Sequence, residues 1–284
     1  AIANHGQTVR HEPDATPPFS VQLGQTQRIA DLSGITTIGQ FRQADLALGG
    51  QGAPLMPAFH LNVFGRKDPN ALILNIGGIA NLTQLSKVAD KGEAIGFDTG
   101  PGNTLLDQWI KKCKGSSYDH DGEWAASGTV IEALLNDLLK EPYFCAAFPK
   151  STGPDHFNLG WLEQFAVRLD YSQQDIQATL LQLTISTVSN SINKLGADHS
   201  NLYVCGGGAH NGAMMSALAE ALPNLSVQVV DALGIPADWV ESVGFAWLGY
   251  CHLHGFTSNL PSVTGASRAV VLGECCQPCQ DSTG

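Results

Sequence analysis

The chain has 284 residues, 43% hydrophobic and 14% charged, with a formal net charge of -11. That composition can bury a sizeable core in one large domain or two ordinary ones. The acidic balance argues against a nucleic-acid partner but leaves phosphorylated ligands open, because local amides and dipoles bind those.

No run of about 18 apolar residues appears, and no basic-then-apolar N-terminal signal, so neither a membrane partner nor a secretory leader is expected. The seven cysteines, an odd number in apolar surroundings, read as buried thiols of a reducing cytoplasm.

In chain order, IANHGQTVRH (2–11) reads as a strand running into a polar turn, QTQRIADLSG (25–34) as a short helix ended by Gly34, and ITTIGQF (35–41) as another strand. GGQGAPLMPAFH (49–60) breaks regular structure. ALILNI (71–76) is an apolar run suited to a buried strand, and IANLTQL (79–85) pairs back on it as a hairpin. AIGFD (94–98) is the next strand. Helices follow: TLLDQWIKKC places Leu106, Trp109, Ile110 and Cys113 on one stripe, and TVIEALLNDLLK places Val130, Ile131, Leu134, Leu135 and Leu138 on another. WLEQFAVRL (161–169) is a further helix, and a longer one starts at YSQQD, where Ser172 and Asp175 have capping-box-like spacing, and ends at Gly196. NLYVC is a strand, GGGAHNG a turn, AMMSALAEAL a helix and SVQVVD a strand, and an apolar helix begins just after Pro236. A hairpin followed by alternating helices and strands describes a mixed sheet flanked by helices, an α/β fold.

Three Gly-rich turns follow strands: NIGGIAN (75–81), DTGPGN (98–103) and CGGGAHN (205–211). Glycine lets a ligand approach the backbone, and a turn entering a helix suits phosphate. The set points to a nucleotide. CGGGAHN, with a helix, a strand and Asp231 after it, also resembles a dinucleotide site, although its glycines do not follow G-x-G-x-x-G. Asp98 reads either as a helix cap or as a general base at the C-terminal end of a strand, where ligands gather in α/β sheets. Polar side chains cluster in HGQTVRH (His5, Gln7, Thr8, Arg10, His11) and in FRQADLALGGQG (Arg42, Asp45, Gln51), a mixture of donors and acceptors that suits a sugar's hydroxyls and amide. Neither a nucleophile elbow nor a Walker pattern occurs. The tail CCQPC offers one C-x-x-C where zinc needs about four ligands, so no metal site is expected and the tail is expected to fray. His252 and His254 read as solvated or capping.

ANHGQTVRHEP, GITTIGQFRQADLALGGQGAPLMPAFH, LNIGGIANLT, GFDTGPGN, PKSTGPDHFN, VCGGGAHN, GIPADWVES and LPSVTGASR occur in this order. Together they closely resemble the anhydro-N-acetylmuramic acid kinase family of the actin, sugar kinase and heat-shock ATPase superfamily. The resemblance runs from residue 2 to about 273. It implies two RNase-H-like domains with ATP and sugar in a cleft between them. Residues 1–70 would be the remainder of the first domain and 71–284 the second, with the C-terminal tail returning to the first. The implied reaction adds water to C1 of 1,6-anhydro-N-acetylmuramic acid while O6 receives the γ-phosphoryl group, giving N-acetylmuramic acid 6-phosphate in peptidoglycan recycling. By the same resemblance Asp98 is the base acting on the water. His5, Gln7, Arg42, Asp45 and Glu241 contact the sugar. Gly77, Gly78, Gly100, Gly102, Asn103, Gly206, Gly207, Gly208 and Asn211 contact ATP. Mg2+ follows from ATP chemistry rather than from a ligand motif. A cytoplasmic homodimer is expected.

The family's opening strand–loop, of the type M-S-G-T-S-x-D-G, has no counterpart here, and the Cys-rich tail departs from the family's ending. The sequence therefore predicts a first domain truncated at its N-terminus, a chain inactive by itself, and an apolar edge left at strands near residues 1–4 and 35–38. A non-catalytic sugar- or nucleotide-binding remnant and a dinucleotide-dependent oxidoreductase are the alternatives.

Overall fold

A computed structural model of the chain describes residues 1–88, 91–148, 150–165, 171–196 and 199–279, the side chains of 87–88 and 91–93 excepted. Strands β1 (Ile2–Ala3), β2 (Gln7–Glu12) and β3 (Phe19–Leu23) precede α1 (Thr26–Ser33), β4 (Thr37–Gly39), α2 (Gln43–Leu46) and α3 (Met56–Val63). Next come β5 (Leu72–Ile76), β6 (Ile79–Val88) and β7 (Lys91–Pro101). Helices α4 (Thr104–Lys114), α5 (Glu123–Ala126), α6 (Glu132–Leu138), α7 (Pro142–Cys145), α8 (Leu159–Gln164) and the long α9 (Gln173–Leu195) follow. β8 (Asn201–Cys205), α10 (Gly212–Ala221), β9 (Ser226–Val229), α11 (Val240–Leu253), α12 (Pro261–Thr264) and β10 (Glu274–Cys276) complete the order. These form two compact units: residues 1–67, 88–95 and 239–284, and residues 68–87 and 96–238.

The second unit is built on a five-stranded sheet of order β7-β6-β5-β8-β9. β5 runs antiparallel to β6 and parallel to β8, and β8 parallel to β9. Leu72, Ile73, Leu74 and Ile76 are all fully buried, as a central strand covered on both faces requires. α9 packs against α4, α5, α6 and α10, which explains buried side chains on several of its faces. Its ends are the ones the sequence predicts. The Ser172 hydroxyl accepts the Asp175 N–H at 3.2 Å, and Gly196 closes the helix in the left-handed region at φ 62°.

In the first unit β4 is the middle strand of three, parallel to β1 and antiparallel to β10. Its core gathers Ile38, Phe41, Leu55, Leu248 and Leu272, with Met56, Phe245 and Trp247 packed against them.

Several expectations change. The stretch QTVRHE is not a turn but β2, paired antiparallel with β3, a strand the sequence analysis does not predict. Its polar, exposed residues hide the strand signal that an apolar face would give. The tail does not fray at its start: Glu274–Cys276 pairs along β4, so both sides of β4 are covered instead of leaving an apolar edge there. α6 begins at Glu132; Ile131 precedes it with extended backbone, and Val130 lies outside the helix. The helix expected over 161–169 is seen to Gln164, and residues 166–169 lie outside the described ones. Only Cys205 and Cys251 are buried, while Cys145, Cys275 and Cys279 are exposed.

Candidate active site

In the second unit the three Gly-rich turns meet. The N–H groups of Gly102 and Thr104 donate to the Gly78 carbonyl at 2.9 and 3.0 Å, and that of Asn103 donates to the Gly77 carbonyl at 2.8 Å. The Asn103 side chain reaches back to the Ile76 carbonyl at 3.2 Å. α9 supports this crossing through the Thr184 hydroxyl, which lies 3.0 Å from the carbonyls of both Pro101 and Gly102. A Cβ on Gly102 would stand 2.5 Å from the Gly77 oxygen, so glycine is required there by the crossing itself. At Gly207 the nearest atom to an added Cβ is Asn103 Nδ2 at 3.6 Å, an ordinary contact; nothing in the protein demands glycine at that position.

Gly207 and Asn103 line a cavity of about 480 Å³, together with Leu106, Asp107, Tyr118, Asp119, His210 and Asn211. Asp119 is already engaged, accepting the N–H groups of Trp124 and Ala125 at 3.0 and 2.9 Å. Asp121, also in the lining, accepts the Gly212 N–H at 2.6 Å. Burial, then the neighbouring Asp119 charge, raises Asp107 to about 6. Asn211 caps α10, its Oδ1 accepting the Met214 N–H at 2.9 Å. The lining residues from GSSYDHDG (115–122) escape the sequence analysis; their signal is a run of Asp and His in a loop between helices.

Asp98 lies near the end of β7 in the same unit and is 7% exposed. It is not a helix cap. Its Oδ1 accepts from Asn81 Nδ2, and its Oδ2 accepts the Thr152 N–H at 2.9 Å. Burial raises its carboxyl to about 6, opposed by the Thr152 and Asn81 hydrogen bonds and by the charge of Lys150. It is not among the residues lining the 480 Å³ cavity, from which only Asn103 belongs to its own DTGPGN turn.

The first unit holds the expected sugar-contacting residues. Arg42 donates from Nη1 to the Gly52 carbonyl at 2.7 Å, and its Nη2 lies 2.9 Å from His5 Nε2. Burial, then the Arg42 charge, brings His5 down to about 4, so the imidazole is neutral and Nε2 accepts. The His5 ring packs 4.4 Å from that of Phe245. Arg42 is itself lowered by burial and supported by the charge of the exposed Glu241. Its Nε is buried with no hydrogen-bond partner. Gln7 sits exposed at the start of β2, its amide 3.4 Å from the Thr8 carbonyl and outside this network. Asp45 is turned fully inward: Oδ1 accepts from Asn259 and Thr264 at 2.7 Å each, and Oδ2 from the Gly52 N–H at 2.8 Å. Those bonds pin the Gly-rich loop after α2. Among the described residues no group of three or more His, Cys, Asp or Glu side chains is arranged to hold a metal.

A family model described as anhydro-N-acetylmuramic acid kinase matches residues 1–278. The anhydro-N-acetylmuramic acid kinase of Shewanella denitrificans is 50% identical over 274 residues, covering 96% of this chain and 73% of that protein. That of Aliivibrio fischeri is 49% identical over 275 residues, covering 96% and 74%. Among solved structures, xylulose kinase from Rhodospirillum rubrum aligns at 17% identity with a TM-score of 0.41, over 80% of this chain and 45% of that one, too slight a likeness to add to the assignment. With the family match spanning nearly every residue, the chain belongs to the anhydro-N-acetylmuramic acid kinase family.

Proposed function

We propose that this protein transfers the γ-phosphoryl group of ATP to 1,6-anhydro-N-acetylmuramic acid with addition of water, yielding N-acetylmuramic acid 6-phosphate and ADP. The oxygen of water bonds to C1 as the C1–O6 bond breaks, O6 takes the phosphoryl group, and Asp98 accepts the proton that water loses. The observation that carries this reading is the state of Asp98: a buried carboxylate in the family's GFDTGPGN motif, with a proton affinity near 6 that suits a base working at neutral pH.

The chain's own residues supply positioning and charge. Gly207 and Asn103 present the wall of the nucleotide cavity, and Gly77 and Gly78 hold the adjoining turn in place. Gly102 and Gly206 act by letting backbones approach closely, Gly100 and Gly208 by leaving room for the Phe144 and Ile76 side chains, and Asn211 by capping α10 beside the cavity. Arg42, with its orphaned Nε–H, binds a sugar oxygen; His5 and Glu241 orient that guanidinium; Asp45 acts by fixing the loop rather than by touching the sugar. Gln7 is the expected contact with least support. Mg2+ neutralises phosphate charge when bound.

The two units are the two domains of the family fold in this reading, and the protein works as a cytoplasmic homodimer. No helix among the described residues is long and apolar enough to cross a membrane. Incubating the purified full-length protein with ATP, the anhydro-sugar and ¹⁸O-water tests the reaction. One ¹⁸O at C1 of a 6-phosphorylated product is the expected result; ATP and sugar binding with no product would favour a non-catalytic binding protein, and tighter binding of NAD than of ADP would favour an oxidoreductase.

A further inference from the structure

The Asp98 carboxylate is gripped by residues outside its own motif. Asn81 on β6 donates to Oδ1, and the Thr152 N–H donates to Oδ2 at 2.9 Å. The backbone of Asp98 is clamped by the same region: its N–H donates to the Lys150 carbonyl at 3.1 Å, and its carbonyl accepts the Tyr143 hydroxyl at 2.9 Å. Lys150 in turn donates from Nζ to the Tyr143 carbonyl at 2.9 Å and lies over the Tyr143 ring, 4.5 Å from its centroid. Tyr143 also packs edge-on against His156 and Phe157. Each carboxylate oxygen thus has one donor, and each keeps acceptor capacity for a proton arriving from water. We infer that Asn81, Tyr143, Lys150 and the Thr152 amide form one clasp that orients Asp98 for proton abstraction, as positioning residues of the reaction.

The inference rests on the reading of Asp98 as the base. A carboxylate buried without such partners would keep its proton and face no fixed direction. The charged and titratable groups facing it are Lys150 and Tyr143. Tyr143 is held well above the usual tyrosine range, by burial first and then by the Asp98 charge, so it stays a donor. The Thr152 and Asn81 bonds and the Lys150 charge all favour ionised Asp98, so loosening the clasp must raise its proton affinity.

The test is a ¹³C carboxyl titration of Asp98, assigned by the signal that Asp98→Asn removes, combined with the pH profile of kcat. Asn81→Ala is expected to move the Asp98 midpoint and the acid limb of kcat upward by about one pH unit. Asn81→Asp, nearly isosteric but adding a like charge, is expected to move both further in the same direction. Tyr143→Phe keeps the ring packing, and loss of its hydroxyl is expected to lower kcat by about tenfold with the KM for ATP little changed. A midpoint that stays in place in a folded Asn81→Asp protein, or a Tyr143→Phe protein with full kcat, would overturn the clasp. If Asp98→Asn itself turns over normally, the base reading fails and the clasp with it; an inactive Asp98→Asn beside unmoved midpoints removes the clasp alone.

Discussion

At Asp98 the burial that suits a carboxylate to take a proton near neutral pH also costs the folded state. An aspartate titrates at 3.8 in the absence of perturbation and at about 6 here, so the folded protein holds the extra proton between those values. Stability from this group is therefore full below the lower value and is lost as pH rises through the upper one. Asp98→Asn should stabilise the protein at pH 8 by up to roughly 3 kcal/mol and give no such gain at pH 3.5, as read by urea unfolding at both values. Asp45 presents the opposite case. Its three bonds are all to protein groups in a fully buried setting, and Asp45→Ala orphans the Gly52 N–H and leaves Asn259 and Thr264 only their longer bonds, 3.3 Å each, to the Arg268 and Leu260 carbonyls. A loss of about 3–5 kcal/mol in unfolding free energy is expected, where a mere sugar contact would cost almost nothing in the absence of ligand.

Among the elements, the Gly-rich turns divide by what glycine does in each. Gly102→Ala forces a Cβ against the Gly77 oxygen, 2.5 Å away, with backbone atoms of Ile79 and Ala80 just beyond. It should lower Tm and nucleotide affinity together. Gly207→Ala meets only the Asn103 amide at 3.6 Å. It should leave stability within about 0.5 kcal/mol of the parent while weakening ADP binding, measurable by calorimetry.

The same division marks what could be read from sequence. β5, β6, β8, α4 and α9 are legible because their signals are local: apolar runs of strand length, a 3.6-residue stripe, a serine cap and a closing glycine. β2 and β10 are not, because the residues that form them are mostly polar or cysteines, and β3, though it alternates apolar and polar residues, is short; the partners of all three are fixed by pairing across the sheet rather than by their own pattern. At the candidate site Asp98 stands out by its motif. The residues that grip it, Asn81, Tyr143, Lys150 and Thr152, are brought to it only by folding.

For the molecule as a whole, the first unit is assembled from three separate stretches, with residues 88–95 and 239–284 joining residues 1–67. No composition shift along the chain announces this, since a boundary defined by spatial return leaves no linker to find. The cavity and the Asp98 clasp both belong to the second unit, while the Arg42 network belongs to the first. Hydrogen exchange with saturating ADP should then slow in residues 75–81, 98–108, 118–121 and 205–211 and leave the β2–β3 hairpin unchanged. The most direct test of the account compares single-turnover phosphoryl transfer to 1,6-anhydro-N-acetylmuramic acid by the parent protein and by Asp98→Asn at matched ADP affinity. The account predicts that the substitution slows transfer by about 10²–10⁴-fold while ADP still binds; transfer at the parent rate would contradict it.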